Sequence, residues 1–111
     1  MTQVPQEVWT LHELKRRLGP HLVAAGAKRA IVFGSHARGE ADIWSDLDLV
    51  IVADTDLPFL DRFRAFRGLY DAYPHPMEIL VYTPDEFDRM VEEENAFLEQ
   101  VLKGGIAIYE G

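Results

Sequence analysis

The chain has 111 residues, enough for one compact core and too few for two, so a single domain over residues 1–111 is predicted. Apolar residues make up 48% and charged residues 27%, which excludes a disordered chain, and the net charge of -8 argues against a nucleic-acid polymer as a direct partner. The absence of cysteine excludes disulfides and thiolate metal sites, and with no membrane-length apolar run and no secretion signal the expectation is a cytoplasmic protein without a membrane partner.

From Gln6 to Leu18 the positions Val8, Leu11, Leu14 and Leu18 recur at helical spacing, and Gly19-Pro20 is expected to end that helix. A shorter helical stretch follows over His21 to Ala25, stopped by Gly26. Ala30-Ile31-Val32-Phe33, closed by Gly34, reads as a short buried strand. Leu47 to Ala53, rich in Val and Ile, is the strongest strand candidate. Pro58 can open a second major helix in which Phe59, Phe63, Phe66, Tyr70 and Tyr73 repeat at helical spacing. That aromatic stripe reads as core, with a ligand or partner surface as the alternative.

Pro74-His75-Pro76 breaks the pattern, and Met77 to Tyr82 reads as a third strand. Thr83-Pro84-Asp85-Glu86 carries a cap, a first-turn proline and two acids suited to the positive end of a helix. A helix or helix pair then runs to Gly104-Gly105, and Ile106 to Tyr109 is a last strand. The alternation of elements predicts an α/β fold, a small mixed sheet flanked by helices.

The chemistry concentrates in Gly34-Ser35-His36-Ala37-Arg38-Gly39 and Ser45-Asp46-Leu47-Asp48-Leu49. Alternate side chains of a strand share a face, so Asp46 and Asp48 would project together, roughly 7 Å apart along the strand. On spacing alone this is either a turn residue beside a solvent-facing strand position or a pair of carboxylates waiting for a cation. Gly34 allows close approach to the backbone, and free N–H groups after it can hold a phosphate. Together these features describe binding of a metal-nucleotide, although no P-loop is present.

These two segments resemble the signature of the polymerase-β-like nucleotidyltransferases, in particular the minimal nucleotidyltransferase (MNT) group. The likeness extends from the leading helix to Asn95-Ala96-Phe97-Leu98 and Gly105-Ile106-Ala107-Ile108-Tyr109, and leaves no sequence over for a second substrate-binding domain. The resemblance implies that Gly34 and Ser35 contact a triphosphate and that Asp46 and Asp48 bind magnesium. A third acid on the neighbouring strand would complete the metal site and assist the attacking hydroxyl. The one acid there is Glu78, where the family usually has aspartate. Arg38 would meet a phosphate or balance the carboxylates. Ser45 would cap the turn or bind near the metal. His36, at a variable motif position, is expected to be an exposed loop residue, and His12, His21 and His75 have no assigned role.

The function so implied is magnesium-dependent transfer of AMP from ATP to a hydroxyl, a tyrosine of a HEPN-domain toxin, by an MntA-type antitoxin. The acidic charge suits either solubility or a basic partner of that kind. Other readings are an antitoxin or adapter that acts by binding alone, a nucleotidyltransferase for a small molecule such as an aminoglycoside, and a regulatory module that binds metal or nucleotide without transfer.

Overall fold

The computed structural model describes residues 8–111. Residues 8–10 are non-helical, and α1 (Leu11–Ala24) starts later than expected; Gln6 lies outside the described residues. The start is set by Thr10, whose hydroxyl accepts from the Glu13 N–H at 3.1 Å while Glu13 Oε1 accepts from the Thr10 N–H at 3.0 Å. Gly19-Pro20 does not end the helix; α1 runs through it and absorbs the shorter stretch after it. A proline inside a helix costs about 3 kcal/mol, but Leu18 and Leu22 on either side are both fully buried, each contributing about 1.5–3 kcal/mol. Gly26, at φ +81°, makes the stop.

The strands are β1 (Ala27–Phe33), β2 (Leu47–Ala53), β3 (Met77–Tyr82) and β4 (Ile106–Tyr109). They form one mixed sheet in the order β3-β2-β1-β4, with β1 antiparallel to β2 and β4, and β2 parallel to β3. β1 begins three residues before the expected strand, because Lys28 and Arg29 mask its extended start. One sheet face packs Val32, Leu49, Ile51 and Val81 against Leu14, Leu18 and Leu22 of α1. The other packs Ile31, Val50 and Val52 against Phe87, Leu98 and Val101. Those three come from α4 (Pro84–Glu92) and α5 (Ala96–Gly104), capped by Thr83 and Asn95.

Between β1 and β2 lies one helical turn, α2 (Ser35–Arg38). Between β2 and β3 the expected single helix is instead a 3-10 segment, Phe59–Phe66, followed by the short α3 (Arg67–Ala72). The change in residues per turn splits the aromatic stripe: Phe66 and Tyr73 join the core, while Phe59, Phe63 and Tyr70 stay exposed. Arg62 in the 3-10 segment is buried. Its Nε donates to the Leu57 carbonyl at 2.9 Å, Nη1 donates to the Val81 carbonyl at 3.1 Å, and the guanidinium forks onto both oxygens of Glu86. This clamp ties the segment to the outer strand β3. Among the described residues no helix is long and apolar enough to cross a membrane.

Candidate active site

The site forms where β1 hands over to α2 and where β2 begins. Gly34 ends β1 at φ +75°, and a Cβ at this position would stand 2.7 Å from Asp48 Oδ2, so only glycine lets the carboxylate come this close to the turn. Asp48 is the second residue of β2 and shares a face with Val50 and Val52, the face covered by α4 and α5. Pairing registers Phe33 opposite Asp48 and Asp48 opposite Glu78. Phe33, Asp48 and Glu78 therefore form one row across three strands, with neighbours about 5 Å apart.

The acids along this row sit in different surroundings. Asp48 is partly buried, and that burial, reinforced by the negative charges of Glu78 and Asp46, pushes its carboxyl above the usual range. Glu78 is exposed on the outer strand. Asp46 is exposed and precedes β2, so the expectation that it shares a regular strand with Asp48 does not hold, although its charge reaches Asp48. The turn before it is closed by Ser45, whose hydroxyl accepts from the Asp42 N–H at 3.0 Å and donates to Asp42 Oδ1 at 3.1 Å. Ser35 is the first residue of α2, and Arg38 at its end pairs Nε with Glu40 Oε1 at 2.8 Å.

His36 is buried, contrary to the expectation of an exposed loop position. The single turn of α2 faces it into the core, where Nε2 lies 3.2 Å from the Tyr73 hydroxyl, and burial lowers its pKa. The edge of Trp9 meets the Tyr73 ring at 5.1 Å. This support under the motif was open to sequence reading only through the helical spacing of residues 35 to 38.

Two clefts flank the carboxylate row. One, about 780 Å³, is lined by Phe33, Gly34, Arg38, Phe97, Gln100 and Lys103 among others. The other, about 310 Å³, lies by Glu78 under Phe59, Phe63 and Tyr70. Sequence reasoning named neither Gln100 nor Lys103, whose polar side chains are ordinary on an exposed helix face.

The donor set suits a hard cation. Asp46, Asp48 and Glu78 offer oxygen, burial and the neighbouring negative charges both disfavour an uncompensated Asp48 carboxylate, and the missing Cβ of Gly34 leaves room beside Oδ2. Among the described residues no three carboxylate or imidazole side chains converge into a complete metal cage, so the expected three-carboxylate set does not close by itself. Magnesium is commonly held by one or two carboxylates together with substrate phosphates and water, which fits this arrangement.

A mixed sheet with an acid-bearing row at the end of a Gly-Ser turn defines a nucleotidyltransferase of the minimal, polymerase-β-like kind. The chain belongs to the nucleotidyltransferase domain family, whose sequence pattern matches residues 11–107. It is 33% identical over 86 residues to a Methanocaldococcus jannaschii protein provisionally named as a protein adenylyltransferase, covering 75% of this chain and 92% of that one. A solved structure provisionally named as a minimal nucleotidyltransferase is 30% identical, with a TM-score of 0.61 over 88% of this chain and 95% of the other. A toxin-antitoxin structure with AMP-PNP shares the fold at 16% identity, with a TM-score of 0.65 over 87% and 73% of the two chains. The same holds for a Shewanella oneidensis complex of a tri-AMPylated HEPN toxin with its MNT antitoxin, at 13% identity, TM-score 0.60, over 92% and 74%.

Proposed function

We propose that this nucleotidyltransferase transfers AMP from ATP to a tyrosine hydroxyl of a HEPN-domain partner and so acts as the partner's antitoxin. The observation that carries the reading is the row Phe33, Asp48 and Glu78, set between two clefts, with Asp48 held above its usual range by burial and then by its acidic neighbours. The named relatives, a protein adenylyltransferase and MNT antitoxins in complex with toxins, support the acceptor class.

Asp48 and Asp46, with Glu78 beside them, would hold magnesium, which when bound supplies positive charge to the phosphates and the leaving group. The Gly34-Ser35 turn meets the triphosphate with backbone N–H groups. The acceptor oxygen bonds to the α-phosphorus as the bond from that phosphorus to the bridging oxygen breaks, and pyrophosphate leaves with the electron pair. The hydroxyl proton passes to the Glu78 carboxylate, which is exposed and free to hand it to solvent. The cleft beside Glu78 is lined by Phe59, Phe63 and Tyr70, rings against which a phenol can pack.

The test is to incubate the protein, magnesium and ATP labelled at the α-phosphate with a HEPN-domain partner, using wild type, Asp46→Ala and Asp48→Ala. Label on the partner with wild type and loss of it in both variants is the expected result. Silencing of the partner without any label would leave binding alone, the reading favoured by the glutamate at position 78 and by the open carboxylate set. Label on a small molecule only would remove the antitoxin role.

A further inference from the structure

We infer that the cleft between the end of β1 and α5 is the nucleoside subsite, in which the Phe97 ring stacks on a purine and the Gln100 amide reads its edge. This rests on the nucleotidyltransfer reading and adds to it a base-recognition site that the sequence motifs do not contain.

The cleft opens beside the phosphate-facing turn, since Gly34 and Arg38 belong to its lining. Its volume of about 780 Å³ lies within the range of small-molecule sites. Phe97 is held edge-on against Phe33, centroids 5.5 Å apart, yet remains exposed, so its ring is fixed while part of it stays open. Phe33 is also the residue registered opposite Asp48, which sets the distance from the ring pair to the carboxylate row at about one strand spacing. A base on Phe97 would thus have its α-phosphate within reach of the row.

Gln100, one turn along α5 from Phe97, and Lys103, a further turn on, line the same cleft. A glutamine amide offers one donor edge and one acceptor, which matches the N6 amine and N7 of adenine in a bidentate pair. Guanine presents two acceptors at the corresponding positions and would leave the Gln100 carbonyl oxygen without a donor. Glu99 at the rim can accept from ribose hydroxyls, and Lys103 supplies positive charge toward the phosphates. The opposite cleft by Glu78 has an aromatic lining without any cation and stays available to the acceptor.

The experiment is equilibrium binding by calorimetry of magnesium-ATP, magnesium-GTP and magnesium-tripolyphosphate to wild type, Phe97→Ala, Phe97→Tyr and Gln100→Ala. Wild type is expected to bind ATP more tightly than GTP or tripolyphosphate. Phe97→Ala should weaken ATP roughly tenfold while leaving tripolyphosphate unchanged, and Phe97→Tyr should restore it. Gln100→Ala should reduce the preference for ATP over GTP roughly fivefold or more. Gln100 is exposed, so Gln100→Ala decides the matter even if Phe97→Ala loosens α5. Equal wild-type affinity for ATP and tripolyphosphate would overturn the subsite and leave nucleotidyltransfer standing. No binding of either would overturn both.

Discussion

Asp48 and Glu78 face each other in register on parallel strands, and only one of them is sheltered from solvent. Burial first, and then the charge of Glu78 across the pairing, makes Asp48 resist ionisation, while Glu78 stands at the open edge where an acceptor hydroxyl and solvent can both reach it. Glu78→Gln is expected to lower transfer at least about a hundredfold, the usual scale for removing a general base, while changing stability by less than about 0.5 kcal/mol at an exposed position. Label transfer and urea midpoints measured together check it. Near-normal transfer would move the base to another residue. Glu78→Asp, one methylene shorter, tests whether the glutamate reach is matched to this site.

Gly34→Ala places a Cβ 2.7 Å from Asp48 Oδ2 in a backbone region that alanine avoids. We expect a loss of about 1–3 kcal/mol in urea denaturation and loss of magnesium-ATP binding, because the carboxylate must withdraw from the turn. Wild-type affinity in this variant would contradict the role of the close approach.

Asp48→Asn removes a charge held against burial and against Glu78 and Asp46. Without metal the variant should melt slightly above wild type, by no more than the roughly 4–8 °C that 1 kcal/mol represents in a domain of this size. The sign follows from the direction of the shift: a carboxyl raised on folding makes its ionised form a cost, so the difference shrinks as pH falls and Asp48 takes up its proton. Magnesium should raise the melting temperature of wild type and not of Asp48→Asn. A variant that responds to magnesium like wild type would remove Asp48 from the metal site.

The strands β2, β3 and β4 and the cap at Thr83 follow their sequence signals because each is a short apolar run or a local hydrogen-bond pattern bounded by Gly, Pro or polar residues. The same locality fails at Pro20, where the outcome is decided by leucines buried two residues to either side. It fails again at Phe59 to Tyr73, whose spacing fits a helix while the Arg62 clamp to Val81 and Glu86 holds the first half as a 3-10 segment. In the site, Gly34, Asp46 and Asp48 are legible as a motif. The burial of His36 against Tyr73, 37 positions away, and the cleft joining Phe33 to α5 are not, since both depend on contacts between distant parts of the chain.

The Arg62–Glu86 pair makes the acid side of the stability curve testable. Glu86 is lowered from 4.5 to about 2, first by the Arg62 side chain and then by the Thr83 backbone N–H. A carboxyl lowered on folding stabilises the protein above its unfolded value and ceases to do so as pH drops through its folded value, so this contribution is complete above about 4.5 and fades toward about 2. Glu86 is partly exposed, so solvent screening reduces the contribution to about 1 kcal/mol. Glu86→Gln keeps a capping-box side chain at the third helical position while removing the charge. Urea midpoints across pH should therefore show the variant about 1 kcal/mol less stable than wild type at pH 6, with the gap closing below about pH 4. A gap that stays constant down to pH 2 would mean that Arg62 is held by its bonds to the Leu57 and Val81 carbonyls alone, with the Glu86 charge contributing nothing.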